Sequence, residues 1–225
     1  MEKVSIIIPA YNKSQLTVKT VESILKQTYP NIEIIVVDNG SVDDTKSALS
    51  TFGSCIKYNY KENQSACSAR NLAIKVAEGD YIGFLDCDDS YCKEKVERSM
   101  KVLMQNPSLG FIHTGAYFIS GEDVIVGEYP KSRFQGWIST RLIFVNYICN
   151  SMILARAQAV KEAGFFDESI FIPADWDMWL RLSEKYQVGY INEPLTKYRV
   201  SDNTILKSLA QSQKEERVVL KKYFD

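Results

Sequence analysis

Histidine is nearly missing from this chain of 225 residues, where His113 stands alone. A Ser-His-Asp or Cys-His mechanism would have to run through it. It lies in FIHTGAYF, an apolar, strand-like run that suits a core or edge side chain better than a catalytic one. Acid-base chemistry is therefore expected from carboxylates. An excess of either charge is missing too, with 27 Lys and Arg against 28 Asp and Glu. That balance excludes broad, sequence-blind binding to nucleic acid, which needs surplus positive charge. No apolar run approaches the roughly 20 residues of a membrane span. The opening MEKVSIIIPAYNK holds only a short apolar stretch closing on Pro9, too short for a signal-peptide core, so a cytoplasmic location is expected. The five cysteines are odd in number and contain no CxxC pair, against a disulfide scaffold and a structural zinc site, so buried free thiols are expected. Repeats, low-complexity tracts and linker-like breaks are absent, so residues 1–225 are expected to form one domain.

What is present in the first half is an alternation of strands and helices. VSIII (Val4 to Ile8) is a continuous apolar run ended by Pro9, as expected of a strand buried on both faces. A helical stretch follows with Val18, Val21, Ile24 and Leu25 on one side, closed by Tyr29 and Pro30. Ile32 to Val37 is a second buried strand. Ser41 to Asp44 fits a capping box, and CIKYNY a weaker third strand. SARNLAIKVAEG predicts a helix, Tyr81 to Leu85 a fourth strand, and a further helix should bury Val96, Met100, Leu103 and Met104. This βαβαβαβ order implies an α/β fold with a mostly parallel central sheet and helices on both faces. In such sheets ligands bind beyond the carboxyl ends of the strands, here after Ile8, Val37 and Leu85. The second half is less regular. Two strands are expected within 109–128, a helix over 132–146, a strand at NSMILA, a helix from Asp175 to Tyr186 and a charged amphipathic helix over 204–225.

Polar clusters fall at those strand ends: Pro9-Ala10-Tyr11-Asn12, Asp38-Asn39-Gly40-Ser41, Ala69-Arg70-Asn71 opening a helix, and Asp86-Cys87-Asp88-Asp89. Singly, each has an ordinary explanation as a turn, a cap or a solvated helix residue. Together they do not, because three carboxylates within four residues repel one another unless something positive is bound. A hard, oxygen-seeking cation such as Mg²⁺ or Mn²⁺ suits an Asp-x-Asp pair, and commonly takes remaining ligands from substrate phosphates. Arg70 offers a planar fork for a diphosphate. The combination reads as a site for a nucleoside diphosphate.

In order and spacing, VSIIIPAYN, EIIVVDNGSVDDT, SARNLAI and GFLDCDDS resemble the signatures of the family 2 glycosyltransferases of the GT-A fold, and PADWDMWLRL resembles their acidic helix start. The resemblance runs from Val4 to about Arg199. It implies an inverting, nucleotide-sugar-dependent enzyme of the hexosyl- or N-acetylhexosaminyl-transferase class, moving a sugar from a UDP-sugar to a hydroxyl of a saccharide or lipid-linked saccharide in surface polysaccharide synthesis. Pro9, Ala10 and Tyr11 would line the base pocket, with Asn12, Gly40, Ser41 and Cys87 in the same nucleotide-sugar-binding motifs. Asp38 would accept the uracil N–H, Arg70 would approach the diphosphate, Asp86 would lie near ribose and donor sugar, and Asp88 would bind Mn²⁺ or Mg²⁺. Asp175 would be the catalytic base, and Asp177, two residues on, would point away and tolerate Asn. Residues 1–105 would form the nucleotide-sugar half, 106–203 the acceptor half and 204–225 a terminal helix.

Three positions depart from the pattern: Asn12 replaces a glutamate, Ala174 replaces the glutamate of the usual acidic pair, and Ser201 stands where many relatives carry a histidine that reaches the metal. Water or diphosphate is then expected to complete the metal shell. Two rival readings stand beside the transferase. A sugar nucleotidylyltransferase shares the acidic α/β site but normally has a glycine-rich basic loop after its first strand, and PAYNKSQ has no glycine. A non-catalytic nucleotide-sugar or glycan-binding module of a larger synthase fits the missing glutamate and histidine. The last segment carries a slight basic excess, which leaves room for peripheral contact with the inner face of the cell membrane, and a further C-terminal domain could follow Asp225.

Overall fold

The computed structural model describes residues 1–62, 65–129, 134–200 and 216–224. β1 (Val4–Ala10) leads into α1 (Ser14–Leu25), β2 (Ile32–Asp38), a short α2 (Thr45–Ser50), β3 (Lys57–Tyr60), α3 (Ala66–Val76) and β4 (Tyr81–Phe84). The four strands pair in parallel in the order β3-β2-β1-β4. β1 is buried along nearly its whole length because helices cover both faces, which is why it is apolar except for Ser5, whose hydroxyl donates to Glu33 of β2. It runs through Pro9 to Ala10 rather than ending at the proline. Ile7 packs toward Ala69 and Ala73 of α3, while Ile6 and Ile8 pack on the opposite face with Val21 and Ile24 of α1. Gly83 permits this pairing, since a Cβ there would fall 2.4 Å from Ile6 Cδ1.

The chain continues through β5 (Ser90–Tyr91), α4 (Lys95–Gln105), β6 (Leu109–Ile119), β7 (Ile125–Glu128), α5 (Ser139–Leu142), a 3₁₀ turn at Asn150–Met152, β8 (Ile153–Arg156), α6 (Ala157–Ala163), α7 (Ala174–Lys185), β9 (Gln187–Arg199) and a final helix α8 over 216–224. Among the described residues this makes one nine-stranded sheet, ordered β3-β2-β1-β4-β8-β6-β9-β5, with β7 added beside β6. β8 runs antiparallel to both β4 and β6, and β9 runs parallel to β6. The parallel half is therefore extended by a mixed one. α1 and α4 cover one face, and α3, α6 and α7 the other.

Several local expectations change. The capping box at Ser41–Asp44 does not form: α2 starts at Thr45, and the Ser41 hydroxyl instead accepts the backbone N–H of Asn12 at 3.0 Å. Helix over 132–146 shrinks to Ser139–Leu142, with 130–133 outside the described residues. NSMILA splits into the 3₁₀ turn and β8. Leu25 and Met104 are exposed and Val18 half-buried, because each sits at the rim of its helix's apolar stripe. Cys67 and Cys87 are buried free thiols, but Cys55 is exposed and Cys92 and Cys149 are half-buried. The early part of the expected terminal helix, together with Ser201, lies outside the described residues.

His113 is a core side chain on β6. Its ring lies 4.7 Å from that of Tyr190, and Nε2–H donates to Phe134 O at 3.1 Å. Burial pushes its pKa down to about 4, so the ring is neutral.

Candidate active site

The parallel strands end at a common level, and the turns that leave them build an open cavity of about 600 Å³. The first wall comes from β1, whose Pro9 and Ala10 are followed by Tyr11. Asn12 takes a left-handed backbone (φ 49°), which asparagine tolerates better than most residues. It is held by two reciprocal bonds: its N–H donates to Ser41 Oγ, and its Oδ1 accepts the Val42 N–H at 2.8 Å. Gly40 at φ 82° supplies the matching reversal after β2. Asp38 lies beneath this pair of turns. Its Oδ1 accepts the Ser41 N–H at 2.8 Å and its Oδ2 the Tyr58 hydroxyl at 2.6 Å, leaving the residue 1% exposed. Asn12, Asp38, Gly40 and Ser41 thus support the cavity from behind, while Pro9, Ala10 and Tyr11 face it.

The opposite wall is charged. Arg70, on α3, meets Asp86 with Nη2 to Oδ1 at 2.6 Å and lies over the Phe166 ring at 5.6 Å. α3 is capped by Ser65, whose hydroxyl accepts the Ser68 N–H. Asp88 pairs with Lys13 at 2.5 Å, Nζ to Oδ2. Cys87 between the two acids is buried, and that burial, with Asp88 and Asp86 nearby, pushes its thiol up to about 12. Asp89 turns inward. It is 3% exposed, accepting Ser151 Oγ–H on Oδ2 at 2.5 Å and the Arg199 N–H on Oδ1 at 2.8 Å. Burial, then Asp86 and Asp88, hold its pKa well above the usual carboxylate range. Arg199 also donates to Asp88 O and Ser120 O and pairs with Asp123, so it straps β9 to the acidic loop.

Asp175 belongs to the first turn of α7, whose N-cap is Pro173 rather than Asp175 itself. Its Oδ1 accepts the Trp176 N–H at 2.7 Å and faces Asn146 Nδ2 at 3.4 Å. It is half-buried, and burial raises its pKa to about 6 against the pull of Arg70 and the Trp176 N–H. Its field also reaches Asp86, Tyr198 and Cys149. The carboxylate thus lies within electrostatic reach of the Arg70–Asp86 pair but does not line the cavity wall. Asn71 sets this up: its side chain exchanges hydrogen bonds with both backbone groups of Phe166 at 2.8 and 3.0 Å, anchoring the loop that leads to α7. Trp176 and Trp179 are buried core residues, Trp176 Nε1–H donating to Leu142 O.

The sequence profile described as Glycosyl transferase family 2 matches residues 5–163, more than two thirds of the chain. The chain belongs to glycosyltransferase family 2. A UDP-Glc:alpha-D-GlcNAc-diphosphoundecaprenol beta-1,3-glucosyltransferase, WfaP of Escherichia coli, is 36% identical over 210 residues, spanning 91% of this chain and 80% of that protein. An uncharacterized glycosyltransferase of Rickettsia conorii is 33% identical over 204 residues, covering 90% of this chain and 33% of that protein. The chain thus spans about a third of the length of the first curated relatives that it matches. Among solved structures, S. aureus TarS 1-349 in complex with UDP-GlcNAc superposes with a TM-score of 0.76 at 20% identity, over 89% of this chain and 59% of that one. The mannosyltransferase PcManGT from Pyrobaculum calidifontis, in complex with GDP-Man and Mn²⁺, gives 0.69 at 16% identity, over 89% and 58%. These two likenesses show the GT-A glycosyltransferase fold.

For a family 2 glycosyltransferase, the implied metal can be tested against the donors present. No group of three His, Cys, Asp or Glu side chains converges among the described residues. Of the four residues of the acidic loop that line the cavity, Cys87 and Asp89 are buried, and the oxygens still open to it are those of Asp86 and Asp88, whose side chains are 30% and 25% exposed. Hard divalent cations are usually held by one or two carboxylates plus water and phosphate, so this set fits. The Lys13 ammonium already marks the Asp88 oxygen as a place for positive charge. Sequence reasoning missed Lys13 as a cavity residue and passed over Asp89 as a helix cap, whereas Tyr198 and Arg199, read from the sequence as contacts for donor phosphate, do line the cavity. No local pattern signals Lys13 or the inward turn of Asp89, because their partners Asp88 and Ser151 lie 75 and 62 positions away along the chain.

Proposed function

We propose that this chain catalyses a single in-line displacement at the anomeric carbon of a UDP-sugar, with inversion, onto a hydroxyl of a saccharide or lipid-linked saccharide acceptor in surface polysaccharide synthesis. The observation that carries the reading is Asp175: a half-buried carboxylate with its pKa raised to about 6, beside the Arg70–Asp86 pair at the strand-end cavity. A base of that strength is ionised at neutral pH and can still take a proton from an attacking hydroxyl. Pro9, Ala10 and Tyr11 would bound the nucleotide base, and Asp38 would read the uracil edge only by sharing an oxygen that Ser41 or Tyr58 already uses. Asp86 would meet ribose and donor sugar. Asp88 would hold Mn²⁺ or Mg²⁺, which when bound supplies positive charge to the departing diphosphate. The remaining catalytic work belongs to the protein. Arg70, fixed by Phe166 and Asp86, orients the donor, and α7 presents Asp175 from its first turn.

UDP as the nucleotide is supported by the E. coli relative WfaP, a UDP-Glc-dependent glucosyltransferase with a diphosphoundecaprenol-linked acceptor. No helix among the described residues is long and apolar enough to cross a membrane. The test is incubation with a panel of UDP-sugars and diphosphate-lipid-linked saccharides, following UDP release and the anomeric configuration of the product by NMR. An inverted glycoside is expected. A retained configuration would remove the single-displacement mechanism, and nucleotide-sugar binding without turnover on any acceptor would favour the non-catalytic module.

A further inference from the structure

Three cations line the cavity among the described residues, Lys13, Arg70 and Arg199, and they are not equally committed. Arg70 is 9% exposed, clamped between Asp86 and the Phe166 ring. Arg199 is consumed by the Asp88 and Ser120 carbonyls and by Asp123. Lys13 differs. Its backbone is fixed, because its carbonyl accepts both Thr17 N–H and Thr17 Oγ–H at 2.8 Å and the preceding Asn12 is pinned to the β2 turn. Its side chain is 43% exposed on a flexible four-carbon stem, and its ammonium sits 2.5 Å from the oxygen best placed to bind a cation. An ammonium and a divalent cation cannot both occupy that oxygen, since like charges a few ångströms apart repel strongly.

We propose that Lys13 is an exchangeable counter-ion of the donor site: it neutralises Asp88 while the site is empty of donor, and moves to the donor's diphosphate when a divalent cation takes Asp88. This rests on the nucleotide-sugar reading above and goes beyond it, because it makes cation binding depend on the nucleotide. Without a diphosphate the cation must displace Lys13 into water; with one, the released ammonium gains a new partner.

The experiment measures Mn²⁺ binding by electron paramagnetic resonance with and without UDP, and UDP and uridine binding by calorimetry in EDTA. Lys13→Gln should tighten Mn²⁺ binding in the absence of nucleotide by about threefold, the scale of an exposed ion pair. It should weaken UDP in EDTA by a similar factor and leave uridine, which has no phosphate, unchanged. Lys13→Arg should keep wild-type UDP affinity. Asp88→Asn should lose Mn²⁺ yet bind UDP in EDTA at least as well as wild type, because Lys13 is then released. Unchanged Mn²⁺ and UDP affinities in Lys13→Gln would overturn the proposal while leaving the nucleotide-sugar reading intact. Equal loss of UDP and uridine would overturn it as well, by showing that Lys13 shapes the base pocket. Failure of the wild-type chain to bind UDP at all would instead defeat the nucleotide-sugar reading and the Lys13 role with it.

Discussion

Ser151 ties the two ends of the acidic loop to one hydroxyl, donating to Asp89 Oδ2 at 2.5 Å while accepting the Asp86 backbone N–H at 3.1 Å. The serine sits in the 3₁₀ turn before β8, and the buried Lys95 of α4 steadies the same turn through Met152 O at 2.5 Å. Ser151→Ala would leave two buried polar groups short of a partner, at a cost of about 1–3 kcal/mol. For a chain of this size that lowers the melting temperature by roughly 2–12 °C. UDP affinity should fall with it, since Asp86 loses its anchor. An unaltered melting curve would show that the loop is held by other means.

Asp175→Asn keeps the shape and the acceptor for the Trp176 N–H but cannot take a proton. Transfer should fall by about 10²–10⁴, with UDP affinity little changed. In the wild type, turnover should rise with pH through about 6 and then level, and that rise should vanish in the variant. The stability effect has the opposite sense to an ordinary paired carboxylate. The folded pKa is raised, so the native state binds the proton more readily than the unfolded chain and loses stability as pH climbs from about 4 through 6. Asn removes that penalty. Its melting temperature should exceed wild type at pH 7.5 and match it near pH 4. Wild-type turnover by the variant would discard Asp175 as the base.

Asp177→Asn should be destabilising, although the place of Asp177 two residues after Asp175 predicts tolerance. It points away from the cavity, but it is fully buried and pairs with Arg181 at 2.7 Å and Lys222 at 2.8 Å. Through Lys222 it fastens α8 to α7. Asp177→Asn removes the charge and leaves both cations with fewer partners. Because Arg181 and Lys222 are partly exposed, the loss should be about 1–3 kcal/mol, below the range for a fully buried pair. Protease sensitivity near α8 should rise while UDP affinity holds. A drop in UDP affinity equal to that of an Asp88 variant would contradict this division of labour.

What could be read from the sequence follows how local each signal is. β1 and β2 are mostly apolar runs, each with one polar residue inside it (Ser5 and Glu33, hydrogen-bonded to each other), so the strands and the polar edge at Asp38 were visible. β1 nevertheless runs on through Pro9 to Ala10 instead of stopping at the proline. α3 and α7 showed their periodic faces. β9 did not: it contains Asn192 and Pro194, and its long parallel pairing with β6 carries register shifts around Thr114 and Gly115, so neither alternation nor a turn marks it. The acidic loop was legible as a cluster, but not the separate fates of its members. Asp86, Asp88 and Asp89 differ only in whether Arg70, Lys13 or Ser151 arrives, and each arrives from a distant element. Asp175 was singled out through a motif; its contact with the Trp176 N–H is local to α7, whereas Asn146 reaches it from 29 positions away and no sequence pattern marked it.

Nucleotide and metal can be separated through Asp88. UDP at about 100 times its dissociation constant should stabilise the chain by roughly 2.7 kcal/mol, which is roughly 5–11 °C in melting temperature for a chain of this size. Mn²⁺ or Mg²⁺ should add to that shift, since Asp88 and the diphosphate together offer the oxygen ligands that neither supplies alone. Asp88→Asn is roughly isosteric and removes only the charge that holds the exposed Lys13, so the fold should hold. The variant should retain the shift caused by UDP in EDTA and lose the increment caused by Mn²⁺. GDP should shift the wild type less than UDP, because Asp38 sits under the turn that would meet the base edge with both oxygens already oriented by Ser41 and Tyr58. Equal shifts with UDP and GDP would take Asp38 out of base recognition. A Mn²⁺ increment surviving in Asp88→Asn would place the cation on other oxygens, those of Asp86 on the same wall being more exposed than those of the buried Asp89.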